Sequence, residues 1–281
     1  LDIYVGHACI MPLLWPYMEQ TALYDILANW RGKADATCGF GQDLCRGGTG
    51  DGDQFWRSSQ MTNEMRKQFC SVPFYKCPTR RSGVAGAPLD TTTLNASTTL
   101  KGCTSIVSYG PFADYCPVIY TTYGSYHNEN WQWVGSVASS TGNVDYALHA
   151  GNKSPFRRAR VDIFEDERSW TPRDEISRWV DGTSNQFIFG EKHIPIGVLG
   201  TETVAWRHDQ NYLAATGSNG RDWAIGRAVG ERHPLAMPAD STNPQYYFGS
   251  WHSGVCNFLL GDGAVRAISV TAPGKVLGYF A

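Results

Sequence analysis

The sequence lacks the short motifs of the common hydrolases and nucleotide-binding enzymes. It contains no G-x-S-x-G nucleophile elbow and no H-E-x-x-H metalloprotease helix. The segment Gly39-Phe40-Gly41 is not followed by the pattern that a dinucleotide-binding loop requires. The seven histidines are scattered along the chain. We therefore predict a protein that is not an enzyme and has no catalytic residues and no catalytic cofactor.

The chain also lacks a charge excess of either sign and any long apolar run. It carries 24 basic and 26 acidic side chains, a net charge of −2. A near-neutral chain offers no basic surface to phosphates, so we exclude nucleic acid as a partner. No apolar run reaches the roughly 18 residues of a transmembrane helix. Because the sequence begins at Leu1 without methionine, we expect a processed or trimmed piece.

Cysteine pairs at the zinc spacing C-x2-C are absent, although the chain is rich in cysteine. Its eight cysteines are Cys9, Cys38, Cys45, Cys70, Cys77, Cys103, Cys116 and Cys256. Three close pairs (38 with 45, 70 with 77, 103 with 116) each flank a loop. An even number at such spacings favours disulfides and an oxidising compartment. The alternative is a set of buried thiols in a reducing compartment.

Helical patterns dominate the first part of the chain. Trp15-Pro16 opens a predicted helix, since proline suits the first helical turn, and this helix ends near Asn29. A second short helix is predicted from the spacing of Met61, Met65 and Phe69. A further helix is predicted to begin at Thr171-Pro172 and to end by Val180.

Strand patterns dominate the later part. Residues 118–120 and 186–194 are strand-like, and residues 255–260 and 264–270 form a predicted hairpin through Asp262-Gly263. We predict an α+β fold, in which an early helix is followed by an antiparallel sheet with long disulfide-bearing loops and a C-terminal β-hairpin. The 13% aromatic content indicates a well-filled core.

Four segments in order resemble the signatures of one family. The segments are Leu14-Trp15-Pro16-Tyr17-Met18-Glu19-Gln20 with Leu23-Tyr24, Phe74-Tyr75-Lys76-Cys77-Pro78, Asp181-Gly182-Thr183-Ser184-Asn185 with Gly190-Glu191, and His252 followed after nine residues by Asp262-Gly263. They resemble the LPYxEQ…LY, FxCP, DGTSN…GE and H-x9-DG motifs of the DUF1559 family, which is pseudopilin-like and abundant in planctomycetes. The resemblance spans most of the chain, although residues 79–170 match loosely.

The resemblance implies a fold and a cellular location. Family members usually begin with a prepilin cleavage signal and a long hydrophobic helix, which would precede Leu1 and supply the membrane attachment. It implies a single pilin-like domain over residues 1–281, with a loop-rich insertion at about 79–170. It also implies a structural protein on the cell surface, on the periplasmic face of the envelope or in an extracellular filament. Its partners would be copies of itself or other pilin-like subunits, as in type IV pili and type II secretion.

The motif residues themselves have two interpretations. In the structural one, Asp262 shapes the hairpin turn, His252 donates a hydrogen bond at the start of the strand, and Asp181 and Asn185 cap a turn. Glu191 then pairs with Arg266 or Lys192. In the other interpretation, Glu191 belongs to a ligand site, or His252 and Asp262 bind a metal together with a third residue.

Two further candidate sites lie in loops. Asp51 and Asp53 could bind a structural Ca²⁺, although a solvated acidic loop is the favoured interpretation. Trp131 and Trp133, with Tyr123 and Tyr126, offer aromatic faces for stacking on sugar rings. The alternative function is therefore a secreted carbohydrate-binding or adhesin-type module with glycans as partners, unless these aromatic residues simply pack beneath the loops.

Overall fold

A computed structural model describes residues 10–29, 61–84, 111–120, 155–156, 160–161, 170–171, 175–199, 209, 212, 226–242 and 246–281. Its helices are α1 (Met11–Leu14), α2 (Thr21–Asn29), α3 (Asn63–Phe69) and α4 (Gly274–Leu277). Its strands are β1 (Tyr115–Tyr120), β2 (Arg160–Val161), β3 (Trp170–Thr171), β4 (Phe187–Glu191), β5 (Arg227–Val229), β6 (Val255–Leu260) and β7 (Val265–Ser269). The fold class is α+β, as predicted. None of the helices in these ranges has the length and apolarity needed to cross a membrane.

The first predicted helix is interrupted. Trp15–Met18 form a 3-10 turn, and Glu19 then takes a left-handed conformation with φ 57°. The N–H of Gln20 donates to the carbonyl of Trp15 at 2.9 Å, the closing hydrogen bond of a Schellman-type helix end. A new helix, α2, begins at Thr21 and ends at Asn29, so the predicted end is confirmed. The prediction of one continuous helix is wrong, because the apolar residues keep their helical spacing across the left-handed residue Glu19.

Helix α3 confirms the second predicted helix. Thr62 caps it, since its Oγ1 accepts a hydrogen bond from the N–H of Met65 at 3.1 Å. Phe69 at its end is fully buried. The third predicted helix is not found in the part of residues 171–180 that the structure describes: Thr171 belongs to β3, and residues 175–180 contain a 3-10 turn at Ile176–Arg178.

The main sheet has five strands in the order β5-β1-β4-β6-β7. The pairs β1–β4, β4–β6 and β6–β7 are antiparallel, whereas β1 and β5 are parallel. The sheet is therefore mixed rather than wholly antiparallel, because β1 pairs on its other side with a strand of the same direction. Strand β1 falls within residues 79–170, so this part of the predicted insertion belongs to the sheet.

The C-terminal hairpin is confirmed. Strands β6 and β7 pair in register from Val255 opposite Ser269 to Leu259 opposite Val265. Gly263 in the turn has φ 86°, which favours glycine. The Asp262 carboxylate accepts a hydrogen bond from the N–H of Ala264 at 2.9 Å, so Asp262 shapes the turn as predicted.

Two apolar clusters form the described core. In the first, the Trp15 ring packs edge-on against Phe69 and Tyr212, with ring centroids 5.2 and 6.1 Å apart. In the second, beneath the sheet, Phe187 stacks on Phe258 at 4.5 Å. The helical segments and the sheet thus each bury an apolar surface.

The cysteines correct the disulfide prediction where the structure describes them. Cys70, Cys77, Cys116 and Cys256 are buried thiols, and none of the four is joined in a disulfide. Cys70 packs in the first cluster and Cys116 and Cys256 in the second, as small apolar side chains do. The pair 70 with 77 is therefore not bridged. Cys9, Cys38, Cys45 and Cys103 lie outside the described residues.

Candidate functional site

Three signature residues that are distant in the sequence meet in the structure. Cys77 follows the 3-10 turn Pro73–Tyr75, Glu191 is the last residue of β4, and His252 precedes β6. Cys77 and His252 are 175 residues apart in the chain. Their potential ligand atoms, together with a carboxylate oxygen of Glu191, all lie within 4.8 Å of one another. We refer to Cys77, Glu191 and His252 as the Cys-Glu-His cluster.

Both short contacts in the cluster involve the same histidine nitrogen. His252 Nε2 lies 3.2 Å from Glu191 Oε1 and 3.6 Å from Cys77 Sγ. Glu191 therefore pairs with His252, whereas the sequence suggested Arg266 or Lys192. The His252 side chain thus contacts two other segments, while its backbone N–H donates a hydrogen bond near the start of the strand.

Glu191 is held in place by the sheet. Its Oε2 accepts a hydrogen bond from the backbone N–H of Asn257 at 2.8 Å. Its Oε1 is buried and has no hydrogen-bond partner, because the approach of His252 lacks hydrogen-bond geometry. The preceding residue, Gly190, allows two aromatic rings to pack closely against β4. A Cβ at that position would lie 2.6 Å from the Phe258 ring and 2.7 Å from the Phe248 ring.

Cys77 is held by a buried carboxylate. The backbone N–H of Cys77 donates to Asp114 Oδ2 at 2.8 Å. Asp114 also accepts hydrogen bonds from the Arg81 guanidinium, at 2.8 Å from Nη2 and 3.0 Å from Nε, and Arg81 Nη1 reaches Asp209 at 2.8 Å. The thiol itself lies 2.9 Å from Thr79 Oγ1. These contacts fix both the backbone and the sulfur of Cys77.

A serine hydroxyl organises the chain at His252. The His252 N–H donates to Ser250 Oγ at 2.9 Å, and that hydroxyl donates to the carbonyl of Val255 at 2.7 Å. The neighbouring Trp251 indole donates to the carbonyl of Ile194 at 2.7 Å. The His252 side chain is 28% exposed, whereas that of Glu191 is 1% exposed, so the cluster is reached from the surface on the histidine side.

The surroundings of the cluster disfavour further negative charge. Burial raises the pKa of the Tyr115 hydroxyl, and so do the neighbouring Cys77, Glu191 and Asp114. Burial raises the pKa of the Cys256 thiol well above its usual range, and the charge of Glu191 raises it further. Cys256 is therefore a neutral thiol beside the cluster, and Tyr115 is a neutral phenol.

The other signature residues that the structure describes lie away from the Cys-Glu-His cluster. Asp262 and Gly263 lie in the hairpin turn, at the opposite end of β6 from His252, so they form no joint metal site with it. Asn185 Nδ2 donates to the carbonyl of Asp181 at 2.8 Å, and Gly182 has φ 86°, which confirms a side-chain cap in that turn by Asn185. The turn also includes the 3-10 residues Thr183, Ser184 and Asn185. Pro16, Glu19 and Pro78 are exposed, and the carbonyl of Gln20 accepts the first hydrogen bonds of α2.

The loop candidates are not described. Asp51, Asp53, Tyr123, Tyr126, Trp131 and Trp133 lie outside the described residues, so the calcium and sugar-stacking hypotheses stay predictions. The buried charges of Asp114, Arg81 and Asp209, by contrast, were not singled out from the sequence. No local motif marks them, because each is recognised only by its partner from another segment.

The comparison with protein families identifies the chain. A family model described as a protein of unknown function (DUF1559) matches residues 10–273. The chain belongs to the DUF1559 family. Searches of characterised proteins and of solved structures give no match. In this DUF1559 protein, the FxCP-like, GE and H-x9-DG segments each contribute one residue to the Cys-Glu-His cluster. Three motifs that are far apart in the sequence are therefore in contact in the fold.

Proposed function

We propose that this DUF1559 protein is a non-enzymatic, pilin-like structural protein displayed on the cell envelope or in an extracellular filament. The observation that carries the proposal is that its signature residues bind chain segments to one another. Gly190 permits close packing of aromatic rings, Asp262 and Gly263 form the hairpin turn, and Glu191 links β4 to β6 and to His252. These contacts stabilise the fold. The pilin-like form and the location are what the family resemblance implies.

The geometry of the Cys-Glu-His cluster argues against a nucleophilic triad. In such a triad the histidine contacts the nucleophile through one ring nitrogen and the orienting carboxylate through the other. Here Cys77 and Glu191 both approach Nε2 of His252. The carboxylate therefore competes with the thiol for one nitrogen instead of orienting the ring. This arrangement supports the proposal of a protein without thiol-protease chemistry.

The edge of the sheet supplies a surface for self-association. Strand β7 is an edge strand of the described five-stranded sheet, and four of its five residues are exposed. Edge strands present backbone groups that another chain can pair with. Val265 at the start of β7 is 67% exposed and apolar. We place the contact between subunits at this edge.

The proposed location follows from the family resemblance alone. The four described cysteines are buried thiols, so they lend no support to an oxidising compartment. A place on the outer face of the envelope is retained because pilin-like relatives are displayed there.

Electron microscopy of protein isolated from its native source, with intact-mass analysis, tests the proposal. Ordered filaments, together with a hydrophobic helix ahead of Leu1, are expected. A monodisperse monomer without such a helix contradicts the proposal and favours a secreted binding protein.

A pair of exposed valines tests the contact surface. Val265→Lys adds charge to the edge strand and is expected to weaken self-association in sedimentation velocity experiments. Val84→Lys is the control, because Val84 is 61% exposed and lies outside the described five-stranded sheet. Equal association of the two variants and the parent protein would exclude the β7 edge as the contact.

A further inference from the structure

We propose that Cys77, Glu191 and His252 bind a divalent transition-metal ion, with Zn²⁺ the best fit. The inference is independent of the proposed structural role in the envelope. It rests on the distances between the three side chains, on the buried oxygen of Glu191, and on the chemistry of a thiolate, a carboxylate and an imidazole that point to one place.

The two distances from His252 Nε2 match those around a tetrahedral ion. Zinc binds sulfur at about 2.3 Å and nitrogen or carboxylate oxygen at about 2.0–2.1 Å. With tetrahedral angles, these bond lengths separate nitrogen from oxygen by about 3.3 Å and sulfur from nitrogen by about 3.6 Å. The observed separations are 3.2 Å between His252 Nε2 and Glu191 Oε1, and 3.6 Å between His252 Nε2 and Cys77 Sγ. The two separations from His252 Nε2 are thus those of ligands of one ion, and the third, between Cys77 Sγ and the Glu191 carboxylate, is within 4.8 Å.

The buried oxygen of Glu191 is a second, independent observation. A carboxylate oxygen that is removed from water without a hydrogen bond costs free energy, and native structures rarely leave one so. Oε1 of Glu191 is such an atom, and it faces His252 Nε2 without hydrogen-bond geometry. An ion bound by both atoms satisfies the oxygen and explains why the two approach without a hydrogen bond.

The outer contacts suit a metal site. Metal ligands are oriented by hydrogen bonds from surrounding groups. The N–H of Asn257 occupies Oε2 of Glu191 and leaves Oε1 as the ligand atom. Thr79 Oγ1 lies 2.9 Å from the Cys77 sulfur. Cysteine binds metal as the thiolate, and the bound cation itself favours that form.

Charge and ligand type indicate the class of ion. A thiolate and a carboxylate balance the charge of a divalent cation, and the histidine ligand is neutral. A thiolate disfavours Ca²⁺ and Mg²⁺, which take oxygen ligands, and favours Zn²⁺ or a related transition metal. Three protein ligands leave a tetrahedral ion one position for water or another donor, on the side where His252 is partly exposed.

Bound metal would join three segments that are far apart in the chain. Ion binding to the native state alone stabilises the fold by mass action. The ion therefore acts as a cross-link between the segment at Cys77, strand β4 and the start of β6, at a place where the described cysteines form no disulfide. Removing it is expected to lower the melting temperature of the whole chain.

Titration of the chelator-treated, full-length protein with Co²⁺ and Zn²⁺ tests the site. Co²⁺ is expected to give a thiolate-to-cobalt charge-transfer band and the intense d–d bands of a tetrahedral site. Competition by Zn²⁺ then gives the affinity, expected as a dissociation constant below about 1 µM. A melting temperature that rises with added Zn²⁺ provides a second readout.

Variants assign the ion to the cluster. Cys77→Ser is expected to abolish the charge-transfer band, and His252→Gln or Glu191→Gln to weaken Zn²⁺ binding more than about 100-fold. Thr79→Val, an outer contact, is expected to weaken it about 10-fold to 100-fold. Cys70→Ala is the control, since this buried thiol belongs to the apolar core and should leave the band unchanged.

The outcomes separate the proposal from its alternatives. His252→Gln alters a partly exposed side chain, so circular dichroism can establish that it folds even if Cys77→Ser does not. A Zn²⁺ affinity unchanged in His252→Gln would exclude His252 as a ligand, and a band retained in Cys77→Ser would assign the metal to other cysteines; either result would overturn the proposal. The absence of any tetrahedral cobalt spectrum in the parent protein would overturn it as well.

Discussion

The buried carboxylate of Asp114 accepts a hydrogen bond from the backbone N–H of Cys77 at 2.8 Å, across 37 residues of sequence. The same carboxylate is bound by Arg81, which also reaches Asp209. Asp114 thereby couples the start of β1 to the Cys-Glu-His cluster. Its side chain has no solvent exposure, so these partners take the place of water around its carboxylate oxygens.

Asp114→Asn is expected to destabilise the protein by about 3 kcal/mol, because it leaves the buried Arg81 guanidinium with less compensating charge. The change in the free energy of unfolding is measured by urea denaturation. Glu64→Gln is the matched control: it removes an ion pair with Lys67 that is largely exposed, so a change below about 0.5 kcal/mol is expected. Similar losses in both variants would contradict the assigned role of Asp114.

Two aromatic residues in one 3-10 turn test the position of the first core cluster. Trp15 is fully buried, whereas Tyr17 is 87% exposed. Trp15→Ala is expected to cost about 3–5 kcal/mol through the cavity that it leaves. Tyr17→Ala, measured by the same denaturation, should change the stability by less than about 0.5 kcal/mol. The reverse order would mean that the turn faces the other way.

Thiol labelling tests the correction to the disulfide prediction. In protein unfolded without reductant, alkylation followed by peptide mapping is expected to find Cys70, Cys77, Cys116 and Cys256 modified. In the folded protein Cys70 should react slowly, because burial raises the pKa of its thiol to about 12. A peptide that joins Cys70 to Cys77 would show that the predicted bridge forms after all.

Acid is expected to destabilise the fold through His193. Its Nε2 donates to the carbonyl of Asp240 at 2.7 Å, and its buried Nδ1 has no hydrogen-bond partner. Burial lowers its pKa to about 4 from the ordinary 6.5, so the unfolded chain binds more protons between these values. The stabilising contribution is complete above pH 6.5 and is lost as the pH falls towards 4.

The pH dependence is measured as the difference between the parent protein and His193→Gln, since glutamine can still donate to Asp240. Urea denaturation at several pH values between 4 and 7 is expected to show a shallower decline in the variant. The difference should be on the order of 2 kcal/mol over this range. Parallel curves would mean that His193 titrates normally in the folded protein.

Local patterns predicted the elements that local contacts stabilise. The spacing of Met61, Met65 and Phe69 predicted helix α3, because one apolar stripe faces one cluster. Asp262-Gly263 predicted the hairpin, because the turn conformation is set by those residues themselves. The break at Glu19 was missed, since it depends on a single residue in a left-handed conformation within an otherwise helical pattern.

The candidate site could be predicted only in part. The sequence by itself determined the family, the α+β class and the importance of Cys77, Glu191 and His252 as motif residues. Only the tertiary structure decided that the three side chains meet at one histidine nitrogen, and that Asp114 and Arg81 support them. A contact across 175 residues leaves no periodicity in the sequence, because it arises when the pairing of β4 with β6 and the packing at β1 bring separate segments together.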